Sequence, residues 1–172
     1  MVELMVVLII LGMAASVVYV SWQALLPNQK LNTAVRNLSE VLYGTRDSAI
    51  ARNREFQIFY DIDVDRYRVR TPFSIDGGFA ITEDEERIWI EETSLADQGI
   101  RIQEVMIDDE VYTDGEVYVH FDPLGESSYH TIVLYQEQFD RSFTLEVLPL
   151  TGDIRFYDGY FEREPVQDKD FE

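Results

Sequence analysis

The chain has 172 residues, enough for one domain of ordinary size. Hydrophobic residues make up 46%, so a packed core is feasible, while a net charge of -19 argues against a nucleic-acid partner and against broad adhesion to anionic lipid. The absence of cysteine excludes disulfides, zinc–cysteine sites and thiol nucleophiles.

The charge is unevenly spread. Between Met1 and Gln29 the single charged side chain is Glu3, and every Lys and Arg lies at or after Lys30. Leu4 to Trp22 carries no charge and no proline. As a helix this run would span roughly 28 Å, close to the hydrocarbon thickness of a bilayer. It is apolar on all sides, and Tyr19 and Trp22 stand at its C-terminal end, where amphipathic aromatics favour the interface. A secretory signal would need a basic region ahead of a shorter apolar run. A plain anchor has no use for Glu3, because a carboxylate at a membrane-buried tip is costly unless paired.

The string Val2-Glu3-Leu4-Met5-Val6-Val7-Leu8-Ile9-Ile10-Leu11-Gly12-Met13 resembles the start of type IV pilins and type II secretion pseudopilins. In that family a basic leader ending in Gly is removed by a prepilin peptidase and the new N-terminal residue is methylated. The mature chain then begins Phe-Thr-Leu, one further residue, and a Glu that Glu3 matches. The leader and the first two mature residues of that pattern are missing from the sequence as written, and Met1 stands at the family Leu; a Leu codon taken as an initiation codon and trimming of the chain are the two explanations. The resemblance implies that Glu3 pairs with the N-terminal amine of a neighbouring subunit. It also implies that Leu4, Val7, Leu8, Leu11 and Val18 belong to a membrane and filament helix.

Pro27 and Asn28 predict a kink or short break. Helical periodicity then resumes: Leu31, Val35, Leu38 and Leu42 share one face, which Ala49 continues, while Arg36, Glu40, Asp47 and Arg54 face elsewhere. After Arg54 the period changes to two. Strands are predicted at 56–60, 66–70, 87–91, 99–102, 117–121, 131–135, 143–147 and 154–157, separated by Gly-, Asp- and Pro-containing turns. The fold class expected is α+β: a long N-terminal helix with an apolar first half, packed on an antiparallel β-rich domain. The divisions expected are an apolar helix over 1–29, its amphipathic continuation over 30–55, a β-rich head over 56–163 and a flexible acidic tail over 164–172.

Three further stretches resemble the GspH/FimT-type minor pilins. Thr45-Arg46-Asp47-Ser48-Ala49-Ile50-Ala51-Arg52 is similar to that family's Ala-Arg-x-x-Ala-x-x-Arg, with Thr45 in place of the first Ala. Phe121-Asp122-Pro123-Leu124-Gly125 resembles its Phe-x-Pro-x-Gly turn, and Leu145 to Arg155, with Thr151-Gly152-Asp153, its closing hairpin.

Other constellations are weaker. Asp61, Asp63 and Asp65 open like an EF-hand loop, but Arg66 stands where the turn Gly belongs and Pro72 where the bidentate Glu belongs, which favours a solvated hairpin. Glu83 to Glu86 and Asp108 to Glu110 read as solvated acidic loops. His120 and His130, in successive predicted strands, lack metal-ligand spacing, and Ser127 and Ser128 lack a nucleophile elbow. No phosphate loop, dinucleotide fingerprint or HExxH motif occurs. No catalytic, cofactor-binding or metal residue is therefore assigned, and an enzyme is not expected. The resemblance implies a structural subunit of a secretion pseudopilus or pilus, held in the bacterial inner membrane with its head in the periplasm. Its partners would be other pilins or pseudopilins and the inner-membrane assembly platform, with the prepilin peptidase if the missing leader exists. The alternative is a single-pass anchored periplasmic binding domain that enters no filament.

Overall fold

The structure, a computed structural model, describes residues 2–82 and 85–161; within the helix, the side chains of residues 2, 4, 8, 9, 12 and 14–28 lie outside that description. The predicted tail over 164–172 also lies outside the described residues.

One helix, α1 (Val2–Arg52), opens the chain. It runs through Pro27 and Asn28 without the break expected there. A proline removes one backbone donor, and the turns on either side retain theirs. The predicted stripe is buried: Leu31, Val35, Leu38, Leu42 and Ala49 are all within a few per cent of full burial, joined by Ala34, Ser39 and Thr45. These positions alternate steps of three and four, so they form one continuous seam. Ser39 and Thr45 satisfy their hydroxyls by donating to the backbone carbonyls of Arg36 and Val41, which lets two polar residues share an apolar seam. The helix ends in a Schellman arrangement. Asn53 adopts φ 50°, its amide donates to Ile50 and the Arg54 amide donates to Ala49, which turns the chain directly into the first strand.

Nine strands follow among the described residues: β1 (Phe56–Asp61), β2 (Arg66–Ser74), β3 (Arg87–Ser94), β4 (Arg101–Ile107), β5 (Glu110–Tyr112), β6 (Glu116–Phe121), β7 (His130–Gln136), β8 (Arg141–Val147) and β9 (Ile154–Asp158). They form two antiparallel sheets, ordered β3-β2-β1-β6 and β5-β4-β7-β8-β9. The buried half of α1 packs on β1, β6, β7 and β8, and the core lies where its seam meets Ile58, Tyr60, Val119, Ile132, Leu134 and Leu145.

The eight predicted strands are present, and β5 is additional. Asp108 and Asp109 are solvent-exposed, as expected, but they form a tight turn between strands. Both adopt positive φ, 48° and 71°, as a two-residue hairpin turn requires, and they fold Glu110–Tyr112 back on β4. Aspartate tolerates this left-handed geometry better than most residues.

The outer face of the four-stranded sheet is not bare. Phe59 stacks on Tyr118 and meets the edge of Trp89, both at 5.0 Å, while Arg70 lies over Phe59 and Arg68 over Trp89. That cover explains why β1 is buried on both faces.

Candidate functional site

α1 divides into two unlike halves. A helix of 51 residues is about 76 Å long. The described apolar side chains of its first turns, Met5, Val6, Val7, Ile10 and Leu11, are all exposed, Met5 by 68% and Ile10 by 61%. A row of large bare side chains on one element exceeds the scattered apolar exposure of ordinary soluble surfaces. Glu3 sits exposed in the first turn, where the helix dipole favours a negative charge. Of the predicted helix residues, Val7 and Leu11 are exposed; the side chains of Leu4, Leu8 and Val18 lie outside the described residues. Among the described residues no helix is long and apolar enough to cross a membrane.

At the other end of α1 the three motif stretches meet. The Arg46 Nε donates to the carbonyl of Gly125 at 3.2 Å, so the Phe-x-Pro-x-Gly turn rests on the helix. Asp122 shapes that turn: its Oδ1 accepts the amides of Leu124 and Glu126, and its carbonyl accepts from Gly125. The closing β8–β9 turn arrives on the same side chain. A Cβ added at Gly152 would lie 2.6 Å from Arg46 Cδ, and one at Gly125 would lie 2.7 Å from Ile50 Cδ1. Both glycines also hold positive φ, 62° and 83°. The Tyr43 hydroxyl accepts the Ile154 amide and pins β9 to the helix. Arg46 thus clamps two turns that lie far apart in sequence, and small residues are needed where they touch it.

Replacing Gly152 with Ala is expected to destabilise the fold by about 2 kcal/mol, from left-handed strain plus displacement of Arg46. In a double-mutant cycle, Arg46→Ala should recover the steric part only. Strictly additive losses in urea unfolding would show that Arg46 and Gly152 do not press on each other.

The three aspartates of the β1–β2 hairpin serve as structural acceptors. Asp61 pairs with Arg66 at 3.0 Å, Asp63 Oδ1 accepts the Gly115 amide at 3.1 Å and Asp65 Oδ1 accepts the Ile102 amide at 2.8 Å. The hairpin is therefore tied to the five-stranded sheet and to the loop before β6, contacts that local spacing does not reveal. Glu85 accepts the amides of Ile81 and Thr82, whereas Glu83 and Asp84 lie outside the described residues. His120 and His130 belong to different sheets; His120 is exposed and His130 fully buried. His130 Nδ1 lies 3.0 Å from the Ser128 carbonyl and can donate only as N–H, which leaves Nε2 to face the Tyr60 hydroxyl at 3.5 Å. Burial lowers the His130 pKa to about 4 and raises that of the Tyr60 phenol, with Tyr67 adding to the latter. Glu146, also buried, accepts from the hydroxyls of Tyr129 and Tyr157. No group of three or more metal-ligating side chains occurs among the described residues.

No family profile matches the chain, and no curated protein is significantly similar to it in sequence. Solved structures do match. Two structures of the minor pseudopilin EpsH from the type II secretion system of Vibrio cholerae superpose with TM-scores of 0.54 and 0.51. They are 14% and 13% identical, and the matches cover 78% and 75% of this chain and 98% and 97% of theirs. The type IV minor pilin FimU of Pseudomonas aeruginosa matches with a TM-score of 0.53 and 12% identity, over 76% of this chain and 90% of its own. The fold is pilin-like, of the GspH type.

Proposed function

We propose that this chain is a structural subunit of a type II secretion pseudopilus or a type IV pilus, of the GspH-like minor kind. The observation that carries this reading is the divided helix of a pilin-like fold: one half sealed into the head, the other presenting bare apolar side chains beyond it. Before assembly the apolar run over 1–29 lies in the bacterial inner membrane, with the amphipathic segment 30–55 and the head over 56–163 in the periplasm and an acidic tail over 164–172. On assembly the run leaves lipid for a bundle of like helices, which cover the same apolar surface at little cost. Glu3 then pairs with the N-terminal amine of a neighbour, because two opposite charges desolvated together cost far less than either alone. The partners are other pilin-like subunits and the inner-membrane assembly platform, with the prepilin peptidase only if a leader precedes this sequence. The role is mechanical rather than enzymatic.

The test is recovery. When cells are sheared and the released filaments purified, the chain should be found in the filament fraction as well as in membranes. Confinement to the membrane fraction, with other pilins present in the filaments, would favour an anchored receptor instead.

A further inference from the structure

α1 packs mainly on β1, β6, β7 and β8, and the core side of β3, at the edge of its sheet, is left partly bare. Ile90 pairs with the buried Val69 and so shares its face, yet it is 40% exposed. Between helix and strand runs an open groove of about 440 Å³, with Val41, Phe56, Tyr67 and Ile90 in its lining.

Two features of this groove are costly and have no explanation within the isolated chain. On the strand wall, simple alternation would turn Glu91 outward with Trp89. Instead β3 takes three steps from Ile90 to Thr93 where β2 takes two from Val69 to Tyr67, and Glu91 adopts φ 52° and lines the groove. Glutamate seldom holds that left-handed conformation, and such strain concentrates where a side chain is aimed for function. On the helix wall stands Gly44, in mid-helix, where glycine is a poor choice. Nothing lies within 4 Å of the place its Cβ would occupy, so the fold itself does not require glycine there.

The charge of the groove has one sign. Glu40 and Glu91 line it, no Lys or Arg does, and neither carboxylate has an ion pair among the described residues. Glu92, next along the bulge, is instead held by Arg66. An apolar lining beside two unpaired carboxylates suits the aliphatic stem and charged head of a Lys or Arg side chain. A helix about 10 Å across would fill the volume within roughly one turn, whereas an extended chain can lie along the edge strand. A second copy is a poor occupant, because each chain carries a net charge of -19.

We propose that this groove receives an extended segment of a different pilin-like subunit, with a Lys or Arg side chain held between Glu40 and Glu91. Gly44 lets the incoming backbone approach the helix closely, and the bulge aims Glu91 at its cation. The cationic, extended character of the occupant follows from the groove; its identity as a pilin-like subunit rests on the filament reading.

The test places the photo-cross-linking residue p-benzoylphenylalanine at Asn37, an exposed residue of the groove lining, in the full chain and in cells that make the other subunits. Irradiation of intact cells should join the chain to a different pilin-like subunit, and mass spectrometry should locate the cross-link in an extended segment that carries Lys or Arg. Glu40→Lys with Glu91→Lys should lower the yield about tenfold. Gly44→Leu should lower it as far while the head melts no earlier than the unsubstituted one, since leucine favours the helix and has room there. That separates blocking of the groove from loss of fold. The absence of a photoproduct, a product with a second copy or with a protein that is not pilin-like, or a yield indifferent to charge reversal and to Gly44→Leu would overturn the inference. So would an equal yield of the same product from Tyr118, on the opposite face of the sheet. A pilin-like photoproduct with no recovery of the chain in sheared filaments would count against the filament reading alone. Recovery in filaments with no photoproduct would count against the docking alone.

Discussion

Acidification from pH 6.5 to about 4 is expected to remove about 3 kcal/mol of stability through His130 alone. The sign follows from where the proton can go. In the unfolded chain His130 binds a proton as the pH falls through 6.5, its ordinary value. In the native protein it stays neutral until about 4, because burial penalises the imidazolium more than the Ser128 carbonyl and the Asp108 charge can offset. The contribution of this group is therefore fully present above 6.5, declines as the pH drops, and falls no further below about 4. Carboxylates titrate over part of the same window, so the informative quantity is a difference between two curves. His130→Gln keeps a donor for the Ser128 carbonyl and an acceptor for Tyr60 but has nothing to titrate. Urea unfolding of both proteins at several pH values should give curves that converge by about 3 kcal/mol on acidification. Parallel curves would mean that His130 is protonated in the native state or reaches water.

Much of this architecture is legible in the sequence where the signal is local. The step pattern of Leu31, Val35, Leu38, Leu42 and Ala49 specifies a helix and the face it buries, because a single period places them together. Eight strands announce themselves by alternation and by the turn residues between them. β5 does not, since three residues carry too little periodicity; its only signal is the Asp108-Asp109 pair, which reads equally well as solvated charge. Pro27 misleads in the opposite direction, because its cost is local and helical neighbours on both sides outweigh it. The order of strands is not legible at all. Nothing near β1 says that β6 lies beside it, or that β6 and β7, successive in the chain, part company into different sheets.

The motif cluster shows the same limit. Arg46, Gly125 and Gly152 are separated by long stretches of chain, and no spacing rule joins them. Resemblance to the minor pilins marks each stretch, and the contact at Arg46 supplies the physical reason: two turns need glycine where the arginine presses on them. The aspartates of the β1–β2 hairpin carry the converse lesson. A run of alternating carboxylates suggests a cation, yet Asp61 is engaged by Arg66 of the same hairpin, and Asp63 and Asp65 by amides from elsewhere in the fold.

The second large effect concerns Glu3, whose carboxylate has no role in the packing of the head. Its exposed position in the first turn of α1 makes it removable without loss of folded core. In lipid or in a helix bundle, an unpaired carboxylate is expensive, so its retention at this tip requires a partner. Glu3→Ala and Glu3→Gln remove the charge, the second with its shape preserved. Both variants should reach the membrane at normal levels and keep the thermal stability of the head. The most direct measurement is the amount of each recovered in sheared, purified filaments relative to the unsubstituted chain. A filament subunit held by amine pairing predicts near-complete loss for both; recovery at the unsubstituted level would contradict it.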